Sequence, residues 1–405
     1  MRIPFLPHLK GAKSVYFRGL EVGMVSSNSP SVSIIIPHHG GQILLDCLAS
    51  LFLNTGPAVE VILVDDCSPD SSVREAVKRF PQIKVVRNPR HSGFAVSCNR
   101  GIKAASGEYL VLLNNDTKVS PGWLSELVSF ARRHPRLGAC QPKILSWQDK
   151  RRFDYSGAAG GLIDIFGMPY ALGRVLENME LDHGQYDSSR EIFWASGTAI
   201  FIRREALRDV GELDEDFFAH MEEIDLCWRM KLSGFKIYSV PSSVIYHYSG
   251  WTLPADRLLK MYLNHRNSLM MLLKNYGSAM LLWILPTRLL LECLTILYSL
   301  LRLDLKRVIA VNGGLASVAF QIHKIWKKRL VVQALRRVSD SRITKDMFRG
   351  SIGINYFLGR SYRGSVYLDN PAKSPTSNQE GFASNCNKKR LRRKGSKKKG
   401  PCVIF

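Results

Sequence analysis

The chain has 405 residues, and 57 Lys+Arg against 34 Asp+Glu give it a formal net charge of +23. That length holds a large catalytic domain with an appendage, and such a positive excess calls for a polyanion, with anionic lipid surface and nucleic acid the two classes. Eight cysteines without a Cys-x-x-Cys pair exclude a zinc ribbon or a disulfide framework and fit a reducing compartment.

Residues 1–30 form a poorly patterned arm. Its start, Met1 to Lys10, is broken by Pro4 and Pro7 and has no apolar core of a signal peptide, so the catalytic part is expected in the cytosol. From residue 31 strand and helix signals alternate. Val32 to Ile36 reads as a strand and Gln42 to Asn54 as a helix with Leu44, Leu45, Leu48 and Leu51 apolar. Val59 to Val64 is a second strand, Ser71 to Phe80 a helix, Ile83 to Val86 a third strand, and Phe94 to Ala105 a helix. The run from Gly107 to Asp116 is a continuous apolar strand that ends abruptly in amides and a carboxylate, as a buried parallel strand does. Alternation of this kind implies an α/β fold with a parallel, doubly wound sheet.

Residues 147–192 are irregular and rich in glycine. Ala199 to Ile202 resumes a strand, a helix runs from Glu222 to Leu232 and stops at Gly234, and Lys236 to Val240 and Val244 to Tyr246 read as two short final strands. Beyond Pro254 the chain turns helical. Ala279 to Leu301 is strongly apolar but carries Pro286, Arg288 and Glu292, with Arg288 and Glu292 spaced to pair, and Val308 to Ile322 is short for a span. The expected division is an arm over 1–30, a catalytic domain over 31–253, helices in or on a membrane interface over 254–345, and a flexible tail over 346–405. A membrane span at 279–301 and a soluble helical module are the alternatives for that region. The tail's Lys388–Lys399 run supplies nine of the cations, leaving +14 for the body, and it seeks anionic headgroups more readily than nucleic acid.

Chemistry-bearing residues gather where strands end, which is where open α/β sheets bind ligands. Asn114 and Asp116 point the same way from an exiting strand and offer hard oxygen ligands for a divalent cation; a helix-capping turn is the alternative. Asp65 and Asp66 follow the second strand, where a carboxylate can accept the imide N–H of a pyrimidine or can build a turn. His39 can stack on a base. Gly93 lets a backbone approach a phosphate or ribose at the mouth of a helix that carries Asn99. On the Glu222 helix, Met221, Ile224, Trp228 and Leu232 form an apolar stripe, while Glu222, Asp225 and Arg229 share another face with Asp225 and Arg229 paired. Glu223 is left without a partner, which suits a general base. His247 ends a strand, where an imidazole can complete a manganese-type site.

Taken in order, Val32-Ser-Ile-Ile-Ile-Pro37, Val64-Asp-Asp-Cys-Ser-Pro-Asp70, Gly93-Phe-Ala-x-x-x-Asn99, Leu113-Asn-Asn-Asp116 and Phe218-Ala-His-Met-Glu-Glu-Ile-Asp-Leu-Cys-Trp-Arg229 resemble the family 2 glycosyltransferases, in their bacterial rhamnosyltransferase-like branch. The resemblance spans roughly residues 31–275. It implies a GT-A fold with a mixed doubly wound sheet, a nucleotide-diphosphate sugar donor, Mg2+ or Mn2+, inversion at the anomeric carbon, and a glycan or lipid-linked acceptor at the cytoplasmic face of the cell membrane. By carry-over, Pro37, His39, Asp65, Asp66, Gly93, Asn99 and Asn115 belong to the nucleotide site. Asp116, Asn114 and His247 hold the cation, and Glu222–Glu223 is the acidic pair with Glu223 the base. Trp194 and Gly197 wall the sugar site, with a core tryptophan the alternative for Trp194, and Arg266 meets a diphosphate or is a solvated helix residue.

Three positions depart from the family pattern: Asn114 where the metal motif has Asp, Glu223 where many members have Asp, and His39 in place of an aromatic residue. The final Cys402-Val-Ile-Phe405 spells a prenylation box, read as coincidence because the resemblance is to bacterial enzymes. A nucleotidyltransferase would need a Gly-rich, basic phosphate loop that Pro37 to Gly41 does not supply. A non-catalytic binding protein would explain the charge and the Asn114 departure but not Glu223 and His247 together.

Overall fold

The computed structural model describes residues 31–56, 59–249, 258–358 and 364. The arm over 1–30, the Lys388–Lys399 run and the Cys402 box lie outside the described residues. Strands β1 (Val32–His38), β2 (Val59–Asp65), β3 (Lys84–Arg87) and β4 (Tyr109–Leu113) are linked by helices α1 (Ile43–Asn54), α2 (Ser72–Arg79) and α3 (Phe94–Ala104). After β4 come β5 (Thr117–Val119), α4 (Trp123–Arg133) and β6 (Leu137–Ser146). Four short strands follow, β7 (Gly161–Ile163), β8 (Pro169–Ala171), β9 (Arg174–Val175) and β10 (Asn178–Met179), which make a small antiparallel sheet of their own. The sheet-bearing half closes with β11 (Arg190–Glu191), β12 (Ala199–Arg203), α5 (Arg204–Val210), α6 (Glu222–Leu232) and β13 (Lys236–His247).

The main sheet runs β11-β13-β6-β12-β4-β1-β2-β3, with β5 added to β13. Strands β3, β2, β1 and β4 are mutually parallel, and β12 enters antiparallel between β4 and β6. The sheet is therefore mixed and doubly wound, and the side-chain period of two sorts its core. Ile34 and Ile36 pack with Leu44, Leu48 and Leu127 on one face, while Ile35 packs with Ala95, Cys98 and Ile224 on the other. Helices α1, α2 and α4 cover the first face and α3, α5 and α6 the second.

Two sequence expectations change. The two final strands are one, because β13 continues through Pro241 by slipping register between Val240 and Val244; a proline cannot donate to the ladder, so pairing breaks locally without ending the strand. The apolar stripe on α6 is also too narrow a description. Glu222 and every residue from Ile224 to Leu232 are buried, since later helices enclose α6 from outside.

Those helices are α7 (Leu258–Asn275), α8 (Ser278–Leu301), α9 (Leu305–Phe320) and α10 (Ile322–Ala334). Helix α8 is long and apolar enough to cross a membrane, and α9 and α10 meet at a 70° bend. The polar residues of α8 turn inward: Arg288 Nη2 and His265 Nδ1 each lie 2.7 Å from the Glu292 carboxylate. Its outer face carries Leu282, Trp283, Leu290, Leu297 and Leu301, with Trp283 79% exposed. This reverses the usual order of a surface helix.

Candidate active site

The carboxyl ends of β1, β2 and β4 converge with the amino end of β12 and the last residue of β13. Asn114 donates its backbone N–H to the Thr198 carbonyl at 2.9 Å, so the motif after β4 and the Gly197–Thr198 turn before β12 are tied together. Tyr248 N–H donates to the Asp116 carbonyl at 3.0 Å, which brings the end of β13 to the same point. Asp116 is 4% exposed, and its Oδ1 lies 3.0 Å from His247 Nε2; the Asn114 amide is 3.5 Å from the same ring nitrogen.

Behind the imidazole, Asp154 Oδ1 takes His247 Nδ1 at 2.9 Å and is itself held by Ser249 Oγ at 3.0 Å. Burial disfavours the imidazolium, but Asp116 and then Asp154 outweigh it and push His247 up to about 10. The residues present fit a divalent cation. Bonds of about 2.1 Å put neighbouring ligand atoms about 3 Å apart, the separation seen between Asp116 Oδ1 and His247 Nε2. A carboxylate that fixes the far nitrogen of a ligating histidine is the usual outer partner of such a site. Sequence reading missed Asp154, which sits in the glycine-rich stretch with no motif around it.

Across the Gly197–Thr198 turn lies the acidic pair. Glu223 packs against Gly197, where an added Cβ would stand 3.8 Å from its carboxyl carbon, and the Gly197 N–H bonds the carboxylate. Burial raises the Glu223 pKa, and burial with repulsion from Glu223 raises that of Glu222 well above the carboxylate range. Among the described residues, Oε2 of each has no hydrogen-bond partner. Asp225 and Arg229 pair at 2.9 Å as spaced, with Lys274 Nζ a further 3.0 Å from Asp225. Glu222, grouped with them by sequence, belongs instead with Glu223 as an uncompensated acid.

The backbone entering α6 is strained. Phe218, His220 and Met221 all have positive φ, 64°, 69° and 73°, a region that costs non-glycine residues on the order of 1–3 kcal/mol each. Asn267 of α7 restrains it by donating to the carbonyls of Phe217, Ala219 and His220 at 2.7–3.0 Å.

Several residues assigned to ligands by sequence are engaged within the protein. Asn99 holds Leu213 and Glu215 through three hydrogen bonds. The Asn115 amide donates to His38 Nδ1 at 2.7 Å, and His38, lowered to about 4 by burial, is anchored on Ser72. Gly93, φ +88°, gives clearance to Phe218 rather than to a phosphate, since a Cβ there would lie 2.5 Å from that ring. Trp194 is 4% exposed and donates its indole N–H to the Leu162 carbonyl at 2.8 Å, so it is a core residue. Arg266 is half-buried and donates to the Asp216 and Phe217 carbonyls at 2.7 and 3.1 Å, so part of its guanidinium is engaged within the protein.

Asp66 is 3% exposed, and its carboxylate takes the N–H groups of Ser92 and Gly93, the Asn88 amide and His91 Nδ1 at 2.6–2.9 Å. Four donors fill four lone-pair directions, so only displacement of the exposed His91 would free it for a base. His39 is exposed beside it and stacks on His91 with centroids 3.9 Å apart. Asp65 accepts from Ser68 N–H at 2.9 Å, and Pro37 precedes His38 at the end of β1.

Mycobacterium tuberculosis N-acetylglucosaminyl-diphospho-decaprenol L-rhamnosyltransferase is 28% identical over 305 residues, which are 69% of this chain and 97% of that one. The O-antigen biosynthesis protein RfbC of Myxococcus xanthus is 28% identical over 57% of this chain and 18% of its own. Among solved structures, S. aureus TarS 1-349 in complex with UDP-GlcNAc has 17% identity and a TM-score of 0.48, covering 82% of this chain and 93% of that one. The model for glycosyl transferase family 2 matches residues 33–211. That match takes in the parallel half of the sheet, the Asn114–Asp116 motif and the crossing to α5, and it marks residues 33–211 as a family 2 glycosyl transferase domain.

Proposed function

We propose that this glycosyltransferase moves a sugar from a nucleoside-diphosphate donor to a hydroxyl of a lipid-linked saccharide, with inversion at the anomeric carbon, at the cytoplasmic face of the membrane. The likeness to the mycobacterial enzyme along nearly its whole length favours rhamnose as the sugar. The observation that carries the reading is the opposition of two chemistries at one sheet end. An acidic pair with unpartnered oxygens stands on one side of the Gly197–Thr198 turn, and a carboxylate–imidazole pair on the other.

Asp116 and His247, with Asn114 beside them, would hold Mg2+ or Mn2+, which when bound neutralises charge on the leaving diphosphate. Asp154 keeps His247 Nε2 turned toward Asp116. Glu223, its pKa raised by burial, accepts the acceptor hydroxyl proton as that oxygen attacks from the face opposite the leaving group. Glu222, pushed higher still by burial and by Glu223, stays protonated beside it. His39 and His91 offer stacking surface for a base at the mouth of the site. The outward leucines of α8 would lie against lipid, which brings the site to an amphiphilic acceptor.

The test is a panel of UDP, dTDP and GDP sugars with Mn2+ or Mg2+, following release of the nucleoside diphosphate in the presence of polyprenyl-linked saccharide. Asp116→Asn should lose at least about a hundredfold in turnover, the scale of one strong transition-state electrostatic contact. Undiminished turnover in that variant, with the fold intact by circular dichroism, would remove the metal role.

A further inference from the structure

A second set of charged groups lies beside the catalytic segment, and the mechanism above does not use it. Arg174 of β9 is 7% exposed, with its guanidinium carbon 4.4 Å from the centre of the Tyr155 ring. Lys260 of α7 reaches the same ring, with Nζ 5.3 Å from its centre. Two cations therefore converge on one aromatic side chain. Among the described residues neither has a carboxylate within ion-pairing distance, and Arg174 Nε has no hydrogen-bond partner at all. Burial and then repulsion from Arg174 lower the Lys260 pKa, with Glu177 only partly offsetting both. A buried arginine beside a second cation is costly unless an anion joins them.

Position says which anion. Tyr155 follows Asp154, the residue that orients His247. Lys260 stands seven residues before Asn267, two turns along one face of α7 and about 10 Å away, and Asn267 clamps the strained turn that leads into Glu222 and Glu223. His220 of that turn feels the Lys260 charge and leaves its own buried Nε2 without a partner among the described residues. Leu258 and Leu259, immediately before Lys260, are 43% and 45% exposed. Cationic side chains thus adjoin exposed apolar ones, at the seam between the sheet and the helices with the outward apolar face.

We propose that Arg174, Lys260 and Tyr155, with His220 alongside, form a phosphate subsite for the acceptor, an amphiphile whose phosphate rests on the two cations and whose hydrocarbon chain leaves over Leu258 and Leu259. The inference rests on the glycosyl-transfer reading and adds to it the residues that hold the acceptor's phosphate. Anchoring the phosphate there presents the head-group sugar to Glu223. The donor diphosphate, the other source of the same chemistry, is provided for by Asp116 and His247.

The experiment uses the full chain in mild detergent and measures dissociation constants for three probes: farnesyl phosphate, farnesol, and UDP or dTDP with Mn2+. Farnesyl phosphate should bind saturably and farnesol should not at the same concentrations. Arg174→Gln and Lys260→Gln should each weaken farnesyl phosphate by about tenfold or more, the scale of a lost charged hydrogen bond, and Lys260→Arg should recover most of it. The nucleoside diphosphate should bind each variant as it binds the parent chain. Equal binding of farnesyl phosphate and farnesol, or variants that bind farnesyl phosphate undiminished, would overturn the subsite. Variants that lose the nucleoside diphosphate instead would assign the cations to the donor. If the parent chain bound no nucleoside diphosphate but still bound farnesyl phosphate through these cations, the glycosyl-transfer reading would fail and the subsite would stand.

Discussion

Replacing Glu222 or Glu223 by glutamine should affect stability and catalysis in opposite directions. Glu222 is 4% exposed, and each acid has one oxygen without a hydrogen-bond partner among the described residues. Keeping a carboxyl protonated in the fold while the unfolded chain ionises costs about 1.4 kcal/mol per pH unit, so Glu222→Gln should stabilise the fold by roughly 1–3 kcal/mol at neutral pH. The sign follows from linkage. Both folded-state pKa values are raised, by burial and, for Glu222, by Glu223. Below the ordinary carboxylate range both folded and unfolded chains are protonated and nothing is lost. As pH rises above it the unfolded chain ionises first, and the native chain loses stability until its own raised pKa is passed. The melting advantage of Glu222→Gln should therefore be small near pH 4 and grow towards pH 8. Catalysis runs the other way. Glu223→Gln removes the proton acceptor, a loss of about 10²–10⁴-fold in turnover. Glu222→Gln should keep activity and leave the acidic limb of the rate profile where it is, because Glu222, pushed higher than Glu223, is already neutral when Glu223 ionises. Melting curves and initial rates from pH 4 to 9 read both effects. A Glu223→Gln variant that keeps its turnover would refute the assignment of the base.

Three further outcomes follow from contacts in the structure. Asp154→Asn should cost about 10–100-fold in activity or in the apparent affinity for Mn2+, as loss of an outer partner of a metal-binding histidine does; a metal titration checks it. Gly93→Ala should lower the melting temperature and slow turnover together, because its φ of +88° and the Phe218 ring at 2.5 Å leave no room for a methyl. Glu292→Ala should destabilise by about 3–5 kcal/mol, since it strands Arg288 and His265 in the core. Denaturant unfolding in detergent measures that loss.

The parallel half of the sheet was readable because its strands are unbroken apolar runs divided by glycine, proline and short polar turns. β6 was not readable. Gly138 and Pro142 interrupt its ten residues, and its burial between β12 and β13 comes from partners more than fifty residues away in the chain. The same contrast holds in the site. Asp116, His247 and Glu223 are marked by their places at the ends of elements. Asp154 and His38 are marked by nothing local, because their roles come from side chains 93 and 77 residues away.

Local pattern, acting within ten or so residues, determined the order of strands and helices, the strand-end position of the acids and amides, and the pairing of Arg288 with Glu292. Tertiary structure decided which polar groups remain without partners. Asn99, Asn115, Trp194 and Arg266 look available in sequence, yet distant backbone groups, and for Asn115 the His38 ring, take their hydrogen bonds. Glu222 and Arg174 look ordinary in sequence and are buried with an oxygen or nitrogen atom left over among the described residues. Hydrogen bonding is short-ranged and saturable, so what a side chain can offer a ligand depends on which neighbours folding brings within about 3 Å of it.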